Sequence, residues 1–202
     1  MMKSILAAAA IGAVAFSANA SVDGGVAANQ SPSSFIALSQ PGNVLGGSVY
    51  SSGSSGIAAI PMNTAPPKNT VGNWLAASID NGGDAVVSFG LGTSFVSFLW
   101  GSPDTYNTLT VNSTMGSYTF TSASPSLSGI VFNGNQDFAY YAGFSTNVAG
   151  ELITSLKFSS TSNAFEASNF SVTTPVPEPE TYALLLAGLG VVGFMARRRK
   201  AA

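Results

Sequence analysis

Between residues 21 and 174, apolar side chains recur at every second position in short runs, a pattern that suits a pleated strand and denies a helix its stripe. Thr108-Leu109-Thr110-Val111-Asn112 and Ser117-Tyr118-Thr119-Phe120-Thr121 alternate strictly. The run from Leu152 to Phe158 predicts one apolar face made of Leu152, Leu156 and Phe158. Ala85 to Phe89 and Ser94 to Trp100 are more continuously apolar, as expected of central strands covered on both sides. Phe138 to Phe144 and Asn169 to Val172 complete the set. Turn chemistry separates these runs at Asp80-Asn81-Gly82-Gly83-Asp84, Gly90-Leu91-Gly92, Gly101-Ser102-Pro103-Asp104 and Asn133-Gly134-Asn135. Residues 29–34, 51–56 and 61–70 are rich in Ser, Gly or Pro and read as long loops. No stretch of this body carries a capped 3.6-residue apolar period. The expectation is an all-β fold, an antiparallel β-sandwich, with a jelly roll as the arrangement in mind.

Composition then removes most chemistry. The chain contains no Cys and no His, which excludes disulfide scaffolds, thiolate metal sites, histidine bases and the Ser-His-Asp triad. Only 8% of residues are charged, so Ser, Thr, Asn and Gln must supply the hydration of the surface. Within the body Asp23, Asp80, Asp84, Asp104, Asp137, Glu151 and Glu166 face only Lys68 and Lys157. Without a basic stripe to displace phosphate counterions, nucleic acid is excluded as a partner. Gly82-Gly83 and Gly90-Leu91-Gly92 lack the helix and the Lys of a phosphate cradle.

Both ends of the chain read as addresses. Lys3 precedes an apolar run from Ile5 to Phe16, and Ala18 and Ala20 place small residues where signal peptidase needs them. Residues 1–20 are thus expected to be a signal peptide, cut after Ala20. At the other end, residues 175–181 form a Pro/Glu linker whose three prolines in Pro175-Val176-Pro177-Glu178-Pro179 forbid regular structure. Residues 182–196 are uncharged and would make a helix of about 24 Å, slightly short of the roughly 30 Å hydrocarbon core of a bilayer. The tail, residues 197–202, opens with Arg197, Arg198, Arg199 and Lys200, whose long stems can snorkel and whose charge holds that end in the cytoplasm. The expectation is a single transmembrane helix in the inner membrane, with the body across it.

The order of these three parts resembles the PEP-CTERM sorting signal of Gram-negative bacteria that make extracellular polysaccharide. Pro177, Glu178 and Pro179 match its triplet, and Ala187-Gly188-Leu189-Gly190 sits where that family has its small-residue helix segment. The resemblance covers about the last twenty-five residues. It implies recognition by an exosortase, a membrane-embedded cysteine transpeptidase, with cleavage near the triplet. It also implies a membrane-anchored precursor that ends at the cell surface or in the extracellular matrix. Those residues are substrate positions, not catalytic ones.

Within the body, Trp100, Asp104, Tyr106 and Asn107 form the densest cluster of aromatic and hydrogen-bonding groups. They are the candidate ligand contacts, since a sugar is bound by an aromatic face and by Asp and Asn. The competing reading puts Trp100 in the core and Asp104 in a Ser-Pro-Asp turn. Asp80-Asn81-Gly82-Gly83-Asp84 offers oxygens for a structural calcium but lacks EF-hand spacing. Phe165-Glu166-Ala167-Ser168-Asn169-Phe170 is similar to the closing strand of such surface proteins, with Ser168 where an Asp often stands. The expected function is a non-catalytic exported protein of the cell surface or polysaccharide matrix. The alternatives are a polysaccharide-binding module, or a glycoside hydrolase or lyase working with paired carboxylates.

Overall fold

The computed structural model describes residues 21–27, 34–51, 53, 58–61, 70–173, 185–190 and 192. The signal segment with Ala18 and Ala20, the triplet Pro177, Glu178 and Pro179, and the cations Arg197 to Lys200 lie outside the described residues. Among those described, the chain runs through β1 (Val22–Val26), β2 (Ser34–Phe35), β3 (Val44–Gly46), β4 (Ser48–Tyr50), β5 (Trp74–Ala77) and β6 (Ala85–Thr93). It continues through β7 (Phe95–Gly101), β8 (Asn107–Ser113), β9 (Ser117–Phe120), β10 (Ala139–Thr146), β11 (Ile153–Ser160) and β12 (Phe165–Thr173). Two short 3-10 turns, Ile79–Asn81 and Pro125–Leu127, complete the body.

Every strand pair is antiparallel. One sheet has seven strands in the order β1-β10-β7-β12-β5-β4, with β2 paired to β12; the other has five, β3-β6-β11-β8-β9. The sandwich is therefore larger and less even than the eight strands of a jelly roll. The alternation of β8 and β9 sends Leu109, Val111 and Phe120 inward, and β7 answers with Val96, Phe98 and Trp100. Phe158 of the five-stranded sheet meets Phe98, Phe165 and Phe170 of the other edge-on, at 5.2, 4.9 and 5.7 Å between ring centres. Phe120 and Phe144 make a similar pair at 4.8 Å. Edge-to-face geometry of this kind adds to the gain from burial itself.

Two bulges reset the alternation. In β11 the pairing with both neighbours shifts between Ile153 and Ser155, so that Ile153, Leu156 and Phe158 share the core. Leu152, expected on that face, is only half-buried and precedes the strand. In β12 the register with β7 shifts between Ser168 and Ser171, around Asn169 with φ 52°. Phe165 and Ala167 point inward before the bulge, Phe170 and Val172 after it. An extra residue in one strand has this effect because side chains alternate with a period of two.

Of the two runs expected to be covered on both faces, only β7 is. Leu99 and Ser97 are buried on its outer face, whereas Val86 and Ser88 of β6 are half-buried and alternate with the buried Ala85, Val87 and Phe89. At the Gly101 end of β7 the cover comes from residues 58–61. Gly101 permits their approach: a Cβ there would lie 2.9 Å from Pro61. Ala58, Trp74, Ala76 and Ala164 form a second small core under this layer, with Tyr50 stacked on Trp74 at 4.5 Å.

The chain crosses between the two sheets at glycines. Gly46 and Gly47, between β3 and β4, have φ of 70° and 62°, and Gly82 and Gly83, between β5 and β6, have 82° and 83°. These are left-handed conformations that glycine alone adopts without penalty. The two corners touch, since a Cβ on Gly82 would meet the Gly47 carbonyl oxygen at 2.9 Å. The Asp80 to Asp84 segment is thus the sheet corner.

At the C-terminal end, residues 185–190 and 192 are helical, and Leu185, Leu186, Leu189 and Val192 are exposed. Among the described residues no helix is long and apolar enough to cross a membrane. The remainder of the expected span 182–196 lies outside them.

Candidate functional site

The four candidate ligand contacts do not come together on one face. Trp100 has 0% exposure and stacks on Phe165 at 4.3 Å, with Phe132 edge-on at 5.5 Å. This agrees with the competing reading, Trp100 in the core, and removes Trp100 from the candidate sugar contacts, because a ring enclosed by core aromatics has no face left for a ligand. Asn107 is also at 0% exposure, and its Oδ1 accepts a hydrogen bond from Ser160 Oγ at 2.9 Å. Asp104 and Tyr106 remain in the loop between β7 and β8, both half-buried.

These two belong to a carboxyl cluster that joins β7 to β12. Gly101 and Glu166 are register partners, and Glu166 points to the outer face because Phe165 and Ala167 take the inner one. There the covering segment closes over it. Glu166 is 3% exposed; its Oε1 accepts from the Ala59 backbone N–H at 3.1 Å and its Oε2 from Ser102 Oγ at 2.9 Å. Ser102 reaches it from a left-handed backbone, φ 32°, and its own N–H donates to the Phe138 carbonyl at 3.0 Å. Burial raises the Glu166 carboxyl from 4.5 to about 8, against the opposing pull of the Ala59 and Ser102 bonds and with a push from Asp104. Glu166 is therefore largely protonated near neutral pH. Asp104 is also raised by burial, partly offset by its bond with Tyr106. The Tyr106 hydroxyl, raised by burial and then by Asp104, donates to the Asn163 carbonyl at 2.8 Å.

A pair of carboxyls with raised proton affinity is a recognisable signature of acid-base sites. Here both Glu166 oxygens are engaged by protein donors under a closed layer. Ser168 is fully buried, and its Oγ lies 2.8 Å from Thr70 Oγ1.

The expected calcium segment is occupied by internal bonds. Asp80 Oδ2 accepts from Asn163 Nδ2 at 2.7 Å, and Asp84 pairs with Lys157 at 2.7 Å. Asn81 is buried, accepting from Tyr50 Oη at 2.7 Å and donating to Ser78 Oγ at 2.8 Å. Among the described residues no three acidic groups gather as metal ligands.

Sequence reasoning passed over Glu151. It is 1% exposed and accepts from Ser113 Oγ, from Tyr118 Oη at 2.9 Å and from the Ser21 backbone nitrogen at 3.2 Å. Only the rarity of acids in so uncharged a chain marked it out beforehand.

Body and C-terminal segment together define a β-sandwich followed by a proline-glutamate spacer, an apolar helical stretch and a cationic end. Residues 175–200 match the PEP-CTERM protein-sorting motif, so the chain carries the signal for exosortase-dependent sorting of an exported, membrane-processed protein. No curated protein and no solved structure matches the chain.

Proposed function

We propose that this is a non-catalytic exported protein, cut by an exosortase near Pro177-Glu178-Pro179 and displayed at the cell surface or in an extracellular polysaccharide matrix. The observation that carries this reading is the sorting motif at residues 175–200. Its position supports the reading further, for Pro175 follows the end of β12 by two residues.

The outer face of the five-stranded sheet suits such surroundings. Ser117, Asn112, Ser155 and Ser88 form one cross-strand row. Ser117 Oγ donates to Asn112 Oδ1 at 2.8 Å, and Asn112 Nδ2 donates to Ser155 Oγ at 3.0 Å. Thr119, Thr110, Lys157, Val86 and Leu45 form the next, with Leu45 exposed at the β3 edge. A surface made largely of hydroxyls and amides hydrates well and matches the hydrogen-bonding character of a neutral glycan. It is also the observation that favours the second reading, a polysaccharide-binding module, over a glycoside hydrolase or lyase.

Mass spectrometry of the protein from a host with an exosortase, and from the same host lacking it, tests the main reading. Loss of the residues beyond the triplet only where the enzyme is present is expected. Retention of residues 182–202 in both would make the segment a permanent anchor.

A further inference from the structure

The carboxylate of Glu151 is buried among neutral donors, and among the described residues the one cation, Lys157, is paired with Asp84. A buried ionised carboxylate is costly unless a positive charge accompanies it. One of its three donors is the backbone nitrogen of Ser21, 3.2 Å from Oε2. That nitrogen is also the one that cleavage after Ala20 would free.

We propose that Glu151 is the receptor for the new N-terminus: removal of the signal peptide turns the Ser21 amide into an ammonium whose counter-ion is already in place, locking β1 onto the body. The inference rests on the export reading given above. In the cleavage, water adds across the Ala20–Ser21 amide, its OH going to the Ala20 carbonyl carbon and its hydrogen to the Ser21 nitrogen as the C–N bond breaks. The Ser21 amine then takes a proton from solvent. Before cleavage the nitrogen offers Glu151 a neutral N–H donor; afterwards the donor itself is charged, and the hydrogen bond becomes an ion pair as well.

The rest of the geometry holds Ser21 in position for this exchange. Ser21 Oγ donates to Asn147 Oδ1 at 2.6 Å, the Asn147 N–H donates to the Ser21 carbonyl at 3.3 Å, and Asn147 Nδ2 donates to Asp23 Oδ2 at 3.1 Å. The strand that follows, β1, is the edge of the seven-stranded sheet and, among the described residues, pairs only with β10. An edge strand at a chain terminus is the part of a sheet most prone to fray. The ion pair sits at its free end, where it opposes fraying. Glu151 stands just ahead of β11 and also accepts from Ser113, at the end of β8. The lock thus ties an edge of one sheet to the middle of the other.

The test uses the full chain, exported by a host with signal peptidase and purified with its processed N-terminus identified by mass spectrometry. Four forms are compared: wild type, Glu151→Gln, an insertion of Gly-Ser between Ala20 and Ser21, and the two changes together. The insertion leaves Ser21 an amide and moves the free amine two residues away. Glu151→Gln disturbs Ser113 and Tyr118 as well, so its own effect on stability is not the readout. The readout is the coupling: each change alone lowers the unfolding midpoint, and the insertion lowers it little further once Glu151 is Gln. The N-terminal amine of the wild type should react with an acylating reagent at least tenfold more slowly than that of the insertion form. A mature N-terminus at Ser21 with additive midpoints and equal amine reactivity would overturn the lock and leave the export reading intact. A processed N-terminus other than Ser21 would overturn the lock and leave the export reading intact, and a chain that keeps residues 1–20 would overturn both.

Discussion

Glu166 behaves unlike a surface acid because it is buried between the Ala59 N–H and the Ser102 hydroxyl. Its proton affinity is raised to about 8 by burial, while an unfolded chain would ionise it near 4.5. Between those values the folded state holds a proton that the unfolded state releases, so stability is greatest below pH 4.5 and falls as pH rises to about 8. The loss across that window is on the order of 3 kcal/mol, and urea unfolding at pH 5 and pH 8 measures it. Glu166→Gln should flatten the profile and be more stable than wild type at pH 8. Its carbonyl can still accept from Ala59, and its amide can donate to the rotatable Ser102 hydroxyl. A wild-type profile that rises over the same interval would contradict the protonated state. Of this cluster, Asp104 and Tyr106 were legible in the sequence as a polar loop, whereas Glu166 was not. Its environment is made by residues 58–61, whose approach depends on the missing side chain of Gly101. No local pattern carries that information.

The strands themselves were legible wherever alternation was uninterrupted, as in β8 and β9. They were misread where a bulge intervened, because one extra residue exchanges the faces of everything beyond it. The neighbours Lys157 and Phe158 show what is at stake. Phe158 touches three aromatics of the opposite sheet, and Phe158→Ala should cost about 3 to 5 kcal/mol in chemical denaturation. Lys157→Ala removes only a pair whose partners are roughly half exposed and should cost less than about 1 kcal/mol. Comparable losses would mean that the β11 bulge is misplaced. The sheet corner gives a second comparison. Gly82→Ala and Gly83→Ala both impose a left-handed backbone on alanine, at about 1 to 2 kcal/mol. Only at Gly82 does the new methyl also meet the Gly47 carbonyl, and at Gly83 nothing lies within 4 Å. Gly82→Ala should therefore be the more destabilising, as thermal unfolding of the two variants would reveal.

At the scale of the whole molecule, the class of fold followed from periodicity and turn chemistry, while strand order did not, because pairing partners lie far apart in the chain. The exported body should unfold cooperatively with a β-type circular dichroism spectrum and without added metal; a chelator that lowered its midpoint by several degrees would reopen the question of a bound cation. Strand β12 comes last among the described strands yet lies inside its sheet, flanked by β7 on one side and by β5 and β2 on the other. Its final carbonyl, on Thr173, is gripped by the Thr93 hydroxyl. A pull on the sorting tail therefore enters the body at its middle and runs along the axis of β12. Hydrogen bonds on both flanks share that load at once, instead of parting one after another as they would if an edge strand were peeled away. Mechanically, the sandwich hangs from its own keel, and whatever holds the tail must shear an inner strand to tear the body loose.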